Sequence, residues 1–271
     1  MKFLLKSLLL VIAIVTISAC RQGTQTATES SSEQPIDIEK IEKDLKEVAY
    51  PLPQPFEIHK MLSDIGASYL GKILNPVSNS DKLFTMKSKA VNAGVYASDL
   101  GYAVTYDKKE DIKAYSAVLK SLFDDLGVSV EYSKLQDEET RKRLSDKDSL
   151  VTEVSKIFYN TYTFLYKESN PSLAGLMAAG AYAEGLYIAT HISEDTYNNT
   201  DIVKIIYDQG KSLDDLINLL NNFDQDEMVR SLIVAFTKLK ALYDEAGDSL
   251  TKEQLNSIVS AIENIRESII S

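Results

Sequence analysis

From Phe56 to the end of the chain, apolar side chains recur at steps of three and four almost without interruption, and no stretch sustains the alternation of a strand. The spacing predicts helices over 56–74, 81–107, 110–126, 134–146, 149–168, 171–193, 201–221, 226–246 and 251–270. Only Val128 to Tyr132 reads as extended, and that run is too short to found a sheet. Several helix ends carry their own punctuation. Asn170-Pro171 places a capping amide before a proline at the first helical position. Gly127 and Gly247 follow runs that should stop there. Thr251 with Gln254 makes a capping box, and Leu250 with Leu255 makes the matching apolar staple. About nine helices joined by short connections can bury their stripes only against one another, so the predicted fold is all-α.

The pattern also repeats. Glu57-Ile58-His59-Lys60-Met61-Leu62 resembles Glu153-Val154-Ser155-Lys156-Ile157-Phe158, and Asn75-Pro76 answers Asn170-Pro171. Ala93-Gly94-Val95-Tyr96-Ala97 matches Ala179-Gly180-Ala181-Tyr182-Ala183, with Leu100 answering Leu186. Ser121-Leu122-Phe123-Asp124-Asp125-Leu126 resembles Ser212-Leu213-Asp214-Asp215-Leu216 with one residue deleted. These matches keep one order along the chain. They predict two similar three-helix units, 57–126 and 153–216, with a C-terminal helical hairpin over 226–270 capping the array. The middle helix of each unit is the least charged. Asp99 is the only charged residue from Ala90 to Tyr106, and Glu184 the only one from Pro171 to Thr190. A membrane span competes as a reading of the second stretch. Its Gly, Ser and Tyr content, and a partner helix of the same pattern, favour a buried central helix.

Before Phe56 the pattern changes character. Lys2 and Lys6 precede an apolar run from Leu8 to Ile17 that is too short for a comfortable membrane span, and the small residues Ser18 and Ala19 follow it. This is the layout of an export signal. Ile17-Ser18-Ala19-Cys20 resembles the lipobox of bacterial lipoproteins, with the only cysteine of the chain at the required position. The resemblance implies a signal peptide over 1–19 and cleavage before Cys20, whose thiol would carry the lipid and anchor the chain to a bilayer. Residues 20–54 then form the lipidated N-terminus, a tether and a short helix. Arg21 to Pro35 is rich in Thr, Ser, Gln and Glu and cannot bury enough apolar surface to order itself. Ile38, Ile41, Leu45 and Val48 mark the short amphipathic helix, and Pro51, Pro53 and Pro55 close it ahead of an all-helical domain over 55–271.

The stretch from Ala93 to Leu126 is similar to segments of uncharacterised helical lipoproteins of the Bacteroidetes group. That resemblance implies a Gram-negative envelope and carries no activity with it. Surface display in that group goes with an acidic run after the lipid cysteine. Arg21-Gln22-Gly23-Thr24 departs from it, which favours an outer-membrane position facing the periplasm.

Composition narrows the chemistry. The formal net charge is −11, a field that repels nucleic-acid backbones. With one cysteine there is no intrachain disulfide, so a packed core must supply the stability. Paired-histidine metal motifs, nucleophile elbows and phosphate-cradling glycine loops are missing, so no catalytic residue, metal or cofactor is predicted. His59 sits on an amphipathic helix without an acidic neighbour in sequence and reads as structural or solvated.

One constellation stands out. Asn92, Tyr96, Asp99, Tyr102 and Tyr106 fall on one stripe of the first central helix, and Glu184, Tyr187 and His191 fall on one stripe of the second. A carboxylate among tyrosines on an apolar helix must reach water or find donors. In one arrangement Asp99, Glu184 and His191 face a cleft walled by Tyr96, Tyr102 and Tyr187 and bind a polar ligand. In the other, tyrosine hydroxyls satisfy the acids at a helix–helix seam. The function expected first is a membrane-anchored, non-enzymatic envelope lipoprotein that binds or scaffolds an envelope protein. The alternative is a small-molecule binding lipoprotein using that cleft.

Overall fold

The structure is a computed structural model that describes residues 56–128, 147–193 and 195–271. The expected signal segment 1–19, Cys20, the rest of the 20–54 segment, the helix expected over 134–146 and all but the first residue of the run expected to be extended from Val128 lie outside the described residues. Among the described residues there are eight α-helices, three short 3-10 turns and no strand, so the protein is all-α. The helices are α1 (Glu57–Asp64), α2 (Met86–Thr105), α3 (Lys109–Asp125), α4 (Lys147–Glu168), α5 (Pro171–His191), α6 (Thr200–Asn221), α7 (Glu227–Asp244) and α8 (Lys252–Ile270).

Local chemistry sets the ends. Thr85 accepts from the Ser88 N–H while the Ser88 hydroxyl accepts from the Thr85 N–H, a reciprocal cap that starts α2. Asn170 accepts from the Ser172 N–H ahead of Pro171, and Thr251 pairs with Gln254, both as the sequence predicts. Gly127 terminates α3 with φ +75°, its N–H donating to Asp124 O and the Val128 N–H to Phe123 O.

The same device works at Gly66, where the periodicity misleads. The helix expected over 56–74 ends at Asp64, because Gly66 turns with φ +79° and the Gly66 and Ala67 amides donate to Ser63 O and Leu62 O, each at 3.0 Å. Ala67, Leu70, Ile73 and Leu74 continue the apolar spacing, but they sit in an irregular strap over 65–85 that contains two 3-10 turns. The helix expected from residue 81 therefore begins only at Met86. The strap also corrects one repeat match. α2 takes its N-cap from Thr85 where α5 takes its own from Asn170, whereas Asn75-Pro76 stands inside the strap, ahead of the 3-10 turn Val77–Lys82.

α2 and α5 form the centre. Every residue from Ala90 to Thr105 and from Ser172 to Leu186 is buried. They cross with backbone against backbone. A Cβ on Gly94 would lie 1.9 Å from Met177 O and 2.7 Å from Ala181 N, and one on Gly180 would lie 1.9 Å from Val91 O and 3.2 Å from Val95 N. The step of 86 residues that carries Gly94 onto Gly180 also carries Val91 onto Met177 and Val95 onto Ala181, so each contact is the image of the other. Around this crossing, α3 packs on α2, α6 on α5, and α4 on both central helices. The hairpin α7–α8 does more than cap an end, because α8 lies along α5. No helix among the described residues is long and apolar enough to cross a membrane.

Because the clash at either glycine is with main-chain atoms, no side-chain rotamer can relieve it. Gly94→Ala and Gly180→Ala should each cost at least ~3 kcal/mol, whereas Gly247→Ala, which meets open space, should change stability by less than about 0.5 kcal/mol. Urea midpoints of the three variants measure this. A Gly94 variant as stable as the Gly247 variant would show that the helices do not cross so closely.

Candidate functional site

The stripe on α2 is a row of hydrogen-bonding groups for neighbouring backbone. Asn92 Nδ2 donates to Ile269 O at 2.9 Å, Tyr96 Oη to Pro76 O at 3.0 Å, and Asp99 Oδ2 accepts the Asn75 N–H at 3.3 Å. Tyr102 Oη accepts the Leu70 N–H at 2.9 Å and lies 3.4 Å from Ser68 O. From α3, Tyr115 Oη donates to Asn75 O at 3.2 Å. The strap has few helical hydrogen bonds of its own, and these side chains take up the backbone groups that it would otherwise bury unpaired. Burial raises the hydroxyls of Tyr96, Tyr102 and Tyr115, the second to about 12, so they remain neutral donors throughout the physiological range. Tyr106 continues the stripe, but its buried hydroxyl has no partner among the described residues.

The two acids meet at the same place. Asp99 and Glu184 have no solvent exposure at all. Glu184 is gripped by Arg266 of α8 in a two-pronged bond, Nε to Oε2 at 2.6 Å and Nη2 to Oε1 at 2.9 Å. Arg266 Nη2 also lies 3.3 Å from Ile73 O, in the strap, and the guanidinium carbon stands 4.0 Å from the centre of the Tyr187 ring. Asp99 adjoins this pair. As an ionised acid its Oδ1 would be buried without a partner. A proton on Asp99 turns that orphan into a donor toward Glu184. Burial and the Glu184 charge together push Asp99 well above the usual carboxylate range, and Arg266 opposes them only in part. Asp99 is therefore the neutral acid of the pair, and Glu184 is the carboxylate that balances Arg266.

A second buried group meets the residue beside Asp99. His59 of α1 is fully buried, with Nε2 2.9 Å from Ser98 Oγ, and burial lowers it to about 3. It is structural and uncharged. The step of 86 residues places Ser98 where Glu184 stands on α5, so each central helix uses that position to engage a side chain from a flanking helix.

The chain matches no family model, and no curated protein or solved structure is significantly similar to it. What the site can do must be read from its own geometry.

That geometry joins some expected residues and separates others. Asp99, Glu184 and Tyr187 gather around Arg266. Tyr96 and Tyr102 are buried beside them, but they bond the strap and not the carboxylates, so the seam is satisfied by an arginine and a backbone amide where tyrosine hydroxyls were expected. His191 points away. Its ring stacks on Tyr187 at 4.0 Å, and its Nε2 lies 3.0 Å from Oε1 of the exposed Glu263. The expected cleft, with Asp99, Glu184 and His191 facing one ligand between tyrosine walls, is therefore not formed. Both acids are sealed at a seam because the central helices touch. No group of three metal-ligating side chains occurs among the described residues. Arg266, Tyr115 and Asn75 are the participants that the sequence reading missed. Arg266 carried a signal, since it replaces an apolar residue in the stripe Ile258, Ile262, Arg266, Ile269 that α8 buries.

The sign of the pH dependence follows from the two shifts. Asp99 keeps in the folded state a proton that the unfolded chain releases above pH ~4, so its contribution is complete below that pH and is lost as pH rises toward the folded value. His59 in the folded state refuses, down to about pH 3, a proton that the unfolded chain takes up below ~6.5, so its contribution is complete above ~6.5 and is lost as pH falls. Each slope is about 1.4 kcal/mol per pH unit, and between pH ~4 and ~6.5 the two oppose. Asp99→Asn, whose amide can donate to Glu184 and accept from Asn75, should leave the His59 slope uncovered, so that above pH ~4 its stability rises with pH more steeply than the parent's. Asp99→Ala removes the same proton and should show the same uncovered slope, lowered throughout by a further ~1–3 kcal/mol through the unpaired Asn75 amide. Arg266→Met, which leaves Glu184 buried and unbalanced, should lose about 3–5 kcal/mol. Urea titrations at several pH values test all three. An Asp99→Asn profile parallel to the parent's would mean that Asp99 is ionised in the folded protein.

Proposed function

We propose that this chain is a lipid-anchored, non-enzymatic protein-binding module of a bacterial envelope. In this reading acylated Cys20 holds it to the outer membrane, and the helical domain faces the periplasm. The lipobox resemblance supports the anchor, and Arg21-Gln22-Gly23-Thr24 supports the periplasmic side. The sealed state of Asp99 and Glu184 supports a structural role for the one acidic constellation, since a substrate cannot reach them.

The observation that carries the binding reading is the outer edge of the strap. Phe84 is 85% exposed, and within the same ten residues Met86 is 44% and Val77 40% exposed. Three large apolar side chains left in water within ten residues of a held segment suit a docking surface better than one exposed residue alone would. The strap is tied to α2, α3 and α8 through residues 68–76, so its ordering is already complete before a partner arrives. The same strap carries exposed Lys72 and Lys82 and exposed Asp81. The complementary surface is an apolar pocket on an envelope protein.

Two measurements test the two halves separately. Cys20→Ser should abolish incorporation of a labelled fatty acid and leave an uncleaved precursor, and undiminished labelling would refute the anchor. A photo-crosslinking phenylalanine analogue at position 84 should give a discrete adduct in cells. The same analogue at Val234, which is 51% exposed on α7, should give none. Equal crosslinking from both positions would refute the patch.

A further inference from the structure

A groove of about 550 Å³ lies far along the chain from the strap, where the 3-10 turn Thr196–Asn198 and the start of α6 meet the turn between α7 and α8. This volume is within the range of small-molecule sites. Its walls include the rings of Tyr197 and Tyr207, and Val203 and Leu250 give it an apolar floor. The walls are held in place. Tyr207 Oη donates to Gly247 O at 2.8 Å, and the Asn198 amide donates to both oxygens of Asp195 at 2.7 and 2.8 Å. Tyr197 is 39% exposed, so its ring is available to a ligand.

The charges around the groove select the ligand. Asp248 lines it and has no hydrogen bond or ion pair among the described residues. Asp208 lines it too, paired with Lys204 at 2.6 Å. Of the charged side chains that line the groove, Asp208 and Asp248 are carboxylates and Lys204 alone is an ammonium, already paired with Asp208. The ring itself shows what it accepts, because Lys252 Nζ lies over the face of Tyr197, 6.0 Å from its centre. An aromatic face binds a cation through the negative charge density above the ring. Anionic ligands are disfavoured by the carboxylates, and a neutral apolar ligand would gain nothing from them.

We propose that this groove binds a small organic cation, an ammonium head with a short aliphatic or hydroxylated tail. The head lies on the face of Tyr197 in reach of Asp248, the tail lies on Val203 and Leu250, and Lys252 is the internal cation that such a ligand displaces. The inference does not depend on the anchor or on the strap.

Choline is the probe, and 3,3-dimethylbutan-1-ol, which has its shape without its charge, is the control. With the full chain at low salt, choline titrated by NMR should saturate at about millimolar concentration, and the neutral analogue should bind roughly tenfold more weakly. Tyr197→Leu should weaken choline roughly tenfold, and Asp248→Asn should weaken it several-fold. Lys252→Met should tighten it, because the competitor is gone; a merely structural Lys252 would not have this effect. Several outcomes would each overturn the proposal: equal binding of the neutral analogue, no saturable binding of choline, or a Lys252→Met chain that binds no better than the parent.

Discussion

The close crossing of α2 and α5 at Gly94 and Gly180 is the constraint on which the rest depends. Two helices that meet through main-chain atoms leave no layer of side chains between them, so whatever lies just beyond the contact is forced into proximity. Asp99 follows Gly94 by little more than one turn, and Glu184 follows Gly180 by about one turn. The crossing therefore presses two carboxylates together in a space without water. Two adjacent acids cannot both stay ionised there, so one holds a proton and the other requires a cation. Arg266 supplies that cation, and so α8 packs on α5 where a hairpin placed only at the end of the array would not.

A second consequence is the strap. Its backbone lacks the internal ladder of a helix, and it crosses a buried face where unpaired amides and carbonyls cost about 1–3 kcal/mol each. The polar stripe of α2, with Tyr115 and Arg266, answers these groups one by one. A buried polar network of this kind adds little net stability compared with well-packed apolar residues, but it admits one register only. The strap thus lies where the stripe fixes it, and Phe84 is presented from a fixed base.

Much of the fold was legible because helix caps and apolar spacing are local signals. Thr251 with Gln254, Asn170 with Pro171, and Gly127 all stand where the sequence puts them. The strap was not legible, since Ala67, Leu70, Ile73 and Leu74 keep the helical period while Gly66 overrides it through a single backbone angle. The site was half legible. A carboxylate stripe among tyrosines marked the right residues, and the identity of their partners depended on contacts across the chain. Tyrosine hydroxyls looked like the natural donors to the acids because they are close in sequence. In space they face the strap, and the donor that matters lies 82 residues from Glu184. Whether the acids lined a cleft or a seam turned on the distance between α2 and α5, which the alanines and glycines of both helices permit but do not state.

That separation has a consequence for how the chain matures. A chain delivered from its N-terminus, whether off the ribosome or across a membrane, presents Glu184 82 residues ahead of Arg266. During that interval α2 and α5 are both complete, and Glu184 has no counter-ion. Without Arg266, burying Glu184 means stripping its hydration or giving it a proton, and either makes closing the centre costlier. Final consolidation of the domain thereby gains most when α8 arrives, and the last helix made is the one that completes the buried charge pair.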